Sequence, residues 1–102
     1  MKPQEETIFL LLRGVIDPEL MINIIDLGLV YKVEYNETDK KITIEMTLTS
    51  PGCPMGDTIT NSAKNILKKD YPDFAVEINL VWEPAWGTDK LTPLGKLALG
   101  AD

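Results

Sequence analysis

The chain has 102 residues, 44% hydrophobic and 25% charged, which suits one globular domain (residues 1–102) around one core. Ten basic against sixteen acidic residues leave a net charge of −6, with no histidine. That balance argues against nucleic acid and anionic membranes as partners, because both need a basic surface. A single cysteine excludes an internal disulfide. The start of the chain has no secretory-type apolar segment, and no run approaches the ~20 apolar residues of a membrane helix, so the expected location is the cytoplasm.

In chain order, residues 3–13 read as a helix. Ile8, Leu11, Leu12 and Val15 follow helical spacing, Pro3 suits the first turn, and Gly14 is the expected stop. Asp17-Pro18-Glu19 is a turn by local chemistry, with Asp17 accepting from nearby backbone N–H groups. The functional alternative is a polar wall for a site, or a hard metal ligand. Residues 20–25 are too short an apolar run to assign. Asp26-Leu27-Gly28 is a turn ahead of a strand in which Leu29, Tyr31, Val33 and Tyr35 share one face. A polar hairpin turn at residues 36–40 leads into a second strand, residues 42–48, with Ile42, Ile44, Met46 and Leu48 on one side.

Residues 54–69 form the central helix, with Met55, Ile59, Ala63, Ile66 and Leu67 at helical spacing. A third strand follows, with Val76, Ile78, Leu80 and Trp82 on its apolar face. A strand–helix–strand unit within one sheet is a right-handed parallel crossover. The helix then covers the apolar sheet face. Lys32, Glu34, Thr43, Glu45, Thr47, Glu77 and Asn79 lie on the other, solvated face. Residues 83–91 are a loop holding Trp86, as a lid over the core or a recognition anchor. Thr92 and Pro93 start a last short helix whose apolar face is Leu94, Leu97 and Ala98. The expected fold is a small two-layer α+β domain in the order α-β-β-α-β-α, with a mixed three-stranded sheet and helices on one face.

The only cysteine, Cys53, sits in Ser50-Pro51-Gly52-Cys53-Pro54, between the second strand and the central helix. A lone cysteine is commonly a small buried hydrophobe. A loop position at a helix N-terminus instead favours a thiolate. Parallel wiring sends the strand ends near Thr49 and Trp82 to the same sheet edge, so Cys53 and Trp86 are expected to share one site.

Four segments carry a family resemblance: Asp17-Pro18-Glu19-Leu20, residues 23–31 (Asn-Ile-Ile-Asp-Leu-Gly-Leu-Val-Tyr), residues 46–56 around Cys53, and Val81-Trp82-Glu83-Pro84-Ala85-Trp86. In this order they resemble the SufT/PaaD-like iron–sulfur maturation domain, whose eukaryotic relative serves the cytosolic iron–sulfur targeting complex. Met21 departs from the pattern, standing where the family often has proline. The resemblance implies a non-enzymatic factor that carries a cluster or docks a carrier onto client apoproteins. It implies iron–sulfur scaffold or carrier proteins and client apoproteins as partners. It makes Cys53 the functional cysteine and metal ligand, with Asp17, Glu19, Thr49 and Trp86 as the site wall.

A cluster takes four thiolates, and this chain offers one and no imidazole. A tightly bound cluster per monomer is therefore not expected. Transient ligation, or two Cys53 thiolates across a homodimer, fits the donor set. The competing readings are three. One is an enzyme with a Cys53 nucleophile activated by the helix end or Lys90. Another is an accessory protein of a phenylacetyl-CoA-type oxygenase system. The last is an interaction module in which Cys53 is structural.

Overall fold

The computed structural model describes residues 2–49 and 56–100. Helix α1 (Pro3–Leu11) starts on the proline, with Glu5 and Glu6 in its first turn, and tightens into a 3-10 turn at Leu12–Gly14. Its buried stripe, Ile8 and Leu12 with Val15 just beyond, is the one that helical spacing predicts. Two very short antiparallel strands follow, β1 (Ile16–Asp17) and β2 (Ile22–Asn23). Strand β3 (Val30–Asn36) turns into β4 (Lys41–Met46), and helix α2 (Gly56–Asp70) crosses over to β5 (Ala75–Leu80). A 3-10 turn at Thr88–Lys90 precedes helix α3 (Pro93–Leu99).

The main sheet is mixed, in the order β3-β4-β5. Strands β3 and β4 are antiparallel, with an irregularity between Val30 and Lys32, and β4 and β5 are parallel. Ile42, Ile44 and Met46 on β4 are fully buried against Ile59, Ala63 and Leu67 of α2. Each such side chain contributes about 1.5–3 kcal/mol through apolar burial. The turn end of the sheet is closed by Tyr35, Tyr71 and Phe74, with Tyr35 stacked on Phe74 at 5.1 Å. The opposite face is polar and carries the exposed ion pairs Lys32–Glu34 and Lys41–Glu77, both at 2.7 Å.

Four local expectations change. Residues 16–23 form the β1–β2 hairpin, which the short apolar run did not reveal. Thr47 is buried, not solvated: it lies beyond the last residue of β4, and its N–H donates to the Leu29 carbonyl at 2.8 Å. Strand β5 ends at Leu80, and Leu80 and Trp82 are 40% and 42% exposed, because β5 is the outer strand of the sheet. Leu94 and Leu97 of α3 face solvent, at 58% and 75% exposure. Gly95 is the buried residue of that helix. A Cβ there would lie 2.3 Å from the Asp26 carbonyl oxygen, so the bare backbone is the contact surface.

Candidate functional site

Of the residues expected to form the site, Thr49 and the tryptophan loop follow strands that end at one edge of the main sheet. Val30 of β3 and Leu80 of β5 both pair with Met46 of β4. The start of β3 and the ends of β4 and β5 therefore share that edge. Two backbone bonds extend the pairing past it: Thr47 N–H to the Leu29 carbonyl and Val81 N–H to the Met46 carbonyl, each 2.8 Å. Thr49 follows on the β4 side, half-buried, and Gly56 opens α2, close against Leu48. Cys53 lies between them in sequence, outside the described residues.

The tryptophan loop leaves the same edge and is pinned at three points. The Tyr31 hydroxyl donates to the Pro84 carbonyl at 2.9 Å. The Trp86 indole Nε1–H donates to the Leu27 carbonyl at 2.6 Å. Gly28, at φ 74°, lets the Lys90 carbonyl approach so closely that a Cβ would lie 2.0 Å from its oxygen. Trp86 is half-buried against the core, which favours the lid over the free recognition anchor. The Lys90 ammonium sits 5.7 Å from the Tyr31 ring centroid, a cation–π contact. Burial, with Asp89 nearby, pushes the Tyr31 phenol up, so it stays a neutral donor.

Asp17 is buried, and its Oδ1 accepts from the N–H groups of Glu19 (2.8 Å) and Leu20 (3.2 Å). That is the turn its sequence predicts. Glu19 is exposed. Among the described residues no hydrogen bond or ion pair joins Asp17 or Glu19 to Thr49 or Trp86, and no group of three or more acidic, cysteine or histidine side chains is arranged to hold a metal.

Sequence reasoning missed the polar hub that positions this edge. Asp26, 7% exposed, accepts from Arg13 (2.8 and 3.0 Å), from Asn23 Nδ2 (2.7 Å) and from the Thr92 hydroxyl (2.8 Å). Thr92 N–H donates to the Asp26 carbonyl at 2.9 Å, and the same Thr92 hydroxyl caps α3 through Gly95 N–H. One carboxylate thus ties the end of α1, the turn before β3 and the start of α3. Burial pushes this carboxyl up. The bonds from Asn23, Thr92 and Arg13, with the Arg13 charge, outweigh burial and hold it below its ordinary value. Asp26-Leu27-Gly28 was visible only as a turn, since two of its partners lie far away in sequence.

The profile of the family described as iron-sulfur cluster assembly protein matches residues 5–80. The chain is 46% identical over 86 residues to the Fe-S protein maturation auxiliary factor SufT of Staphylococcus aureus (strain USA300), covering 84% of this chain and 97% of that protein. It is 43% identical over 97 residues to the Fe-S protein maturation auxiliary factor YitW of Bacillus subtilis (strain 168), covering 94% and 93%. A crystal structure of a domain of unknown function from Bacillus anthracis superposes with a TM-score of 0.89 at 39% identity, covering 96% of this chain and 92% of that one. With the profile spanning most of the chain and the fold shared, this protein belongs to the iron–sulfur cluster assembly protein family.

Proposed function

We propose that this protein is a non-catalytic maturation factor for iron–sulfur proteins, which takes a cluster as transient cargo through the Cys53 thiolate and passes it to client apoproteins. Strand order is the observation that carries the reading. In sequence the chain's single thiol lies between β4 and α2, and β4 ends at the edge where β5 hands over to the tryptophan loop. The names of the relatives, Fe-S protein maturation auxiliary factors, support the role. One thiolate with no histidine leaves most of a cluster's coordination open to the donor or the client, which suits hand-over rather than storage. In this reading the clamped Trp86 loop and Thr49 flank the cargo, and the turn that the buried Asp17 holds presents Glu19 as the outer wall. The partners are iron–sulfur scaffolds or carriers and client apoproteins.

The test re-expresses wild type or Cys53→Ala in cells lacking the protein, and measures iron–sulfur enzyme activity together with the amount of each enzyme polypeptide. The expected result is a Cys53→Ala protein that accumulates normally while client enzymes stay inactive with their polypeptides present. Full activity with Cys53→Ala overturns thiolate carriage and leaves an adaptor role.

A further inference from the structure

Among the described residues strand β5 is an open sheet edge, and we infer that it pairs with β5 of a second copy of this chain, antiparallel about a two-fold axis at Ile78. The register fixes which groups are free. Ala75 N–H donates to the Lys40 carbonyl and Val81 N–H to the Met46 carbonyl. Residues 75, 77, 79 and 81 thus direct their backbone polar groups at β4, while Val76, Ile78 and Leu80 direct theirs outward. Among the described residues no backbone bond satisfies those outward groups. The other edge of the sheet is managed: Glu5 of α1 accepts from Tyr35 N–H on β3 at 3.2 Å. Strand β5 (Ala-Val-Glu-Ile-Asn-Leu) has no proline, lysine or bulge to protect the edge, and its one charge, Glu77, is paired with Lys41 of β4.

A second copy fits this edge because the strand is self-complementary. With Ile78 opposite Ile78 of the partner subunit, each Val76 meets a Leu80, and each pair exchanges both N–H···O bonds. The half-exposed Leu80 then gains apolar cover on the face that Val76 and Ile78 already share. On the other face each Glu77 meets an Asn79, so no like charges oppose, and Glu77 keeps its ion pair with Lys41. This two-fold sends the β4–β5 carboxyl ends of the two copies in opposite directions. The inference rests on the sheet alone and stands whether or not Cys53 carries cargo.

The test uses the full chain at about 0.15 M salt, where the Debye length of about 8 Å limits repulsion between copies of charge −6. Sedimentation gives the mass and NMR amide exchange gives the edge, both as a function of concentration. The expected result is a dimer by about 1 mM. Val76, Ile78 and Leu80 amides gain protection as it forms, while Glu77 and Asn79 amides are protected throughout. Asn79→Lys, which sets a cation opposite the partner's Glu77, tightens the dimer about threefold to tenfold, and Asn79→Glu weakens it by a similar factor. Leu80→Pro removes an outward N–H and no ladder bond, so it yields a folded monomer. A monomer at all concentrations overturns the inference, as does a dimer indifferent to residues 79 and 80. Protection of the outward amides that appears only on adding a client apoprotein, at constant mass of this chain's oligomer, overturns it in favour of a client strand on the same edge.

Discussion

Trp86 reaches back 59 residues to Leu27, where its indole Nε1–H donates a 2.6 Å hydrogen bond to a carbonyl of a fully buried residue. Trp86→Phe keeps most of the ring contact and removes the donor, leaving a buried carbonyl unpaired. The expected cost is about 1–3 kcal/mol in urea unfolding, or roughly 5–15 °C in Tm for a domain of this size. Trp86→Ala adds the lost packing and costs more. A Trp86→Phe protein as stable as wild type would show that the bond does not hold the loop.

Asp26 predicts an acid-side loss of stability. Its folded-state pKa lies below its ordinary value of about 3.9, so the unfolded chain takes the proton first as pH falls. The contribution is therefore complete above about pH 5, begins to fade near pH 4, and is lost as pH drops through the lowered folded value. Asp26→Asn should be less stable at pH 7, because the Arg13 pair is gone, and should show a shallower decline between about pH 5 and 2. Glu5 and Glu77 are lowered too, the first mainly by the Lys2 N–H and the second mainly by Lys41. A residual slope in the Asp26→Asn protein belongs to such groups. An unchanged slope would remove Asp26 from the acid transition.

The hub also marks where the sequence stops being readable. Period-two and helical spacings are local, so β4, α2 and the parallel crossover to β5 could be read from residues 42–48, 54–69 and 76–80 alone. Asp26 meets Arg13 and Thr92 only after the chain has folded, and no spacing rule connects positions 13, 26 and 92. Helix α3 misled for a related reason. Leu94 and Leu97 have core spacing, but Gly95 allows a closer approach than any leucine, and backbone contact to Asp26 set the rotation of the helix. At the candidate site, the shared sheet edge and the Asp17 turn followed from wiring and turn chemistry. The Trp86–Leu27 clamp did not, because a long-range side-chain bond leaves no local pattern.

Gly28 links the same two segments from the backbone side. Its φ of 74° disfavours any Cβ, and the Lys90 carbonyl occupies the space a methyl group would need. Gly28→Ala should therefore cost at least about 2 kcal/mol, combining left-handed strain with displacement of the loop. Urea unfolding gives the cost, and weakened protection of the Thr92 amide, which donates to Asp26, reports the displacement. A Gly28→Ala protein within about 0.5 kcal/mol of wild type would mean that the loop can move away without loss.

Met21 closes the β1–β2 hairpin in the left-handed region, at φ 58°, with its side chain 73% exposed. Nothing in that exposure repays the strain of a Cβ there, about 1 kcal/mol relative to glycine. Met21→Gly should thus stabilise the protein, by up to about 1 kcal/mol less the extra freedom glycine has when unfolded. Proline, common at this point in the family that the sequence resembles, should do the opposite here. It fixes φ near −65° and removes the N–H that donates to the Asp17 carbonyl at 2.7 Å. Met21→Pro should lose about 2 kcal/mol or more and loosen the turn that buries Asp17, seen as faster exchange of the Glu19 and Leu20 amides. Equal or greater stability of Met21→Pro would show that the hairpin can adopt a second closure, with the Asp17 turn rebuilt around a φ near −65° at position 21.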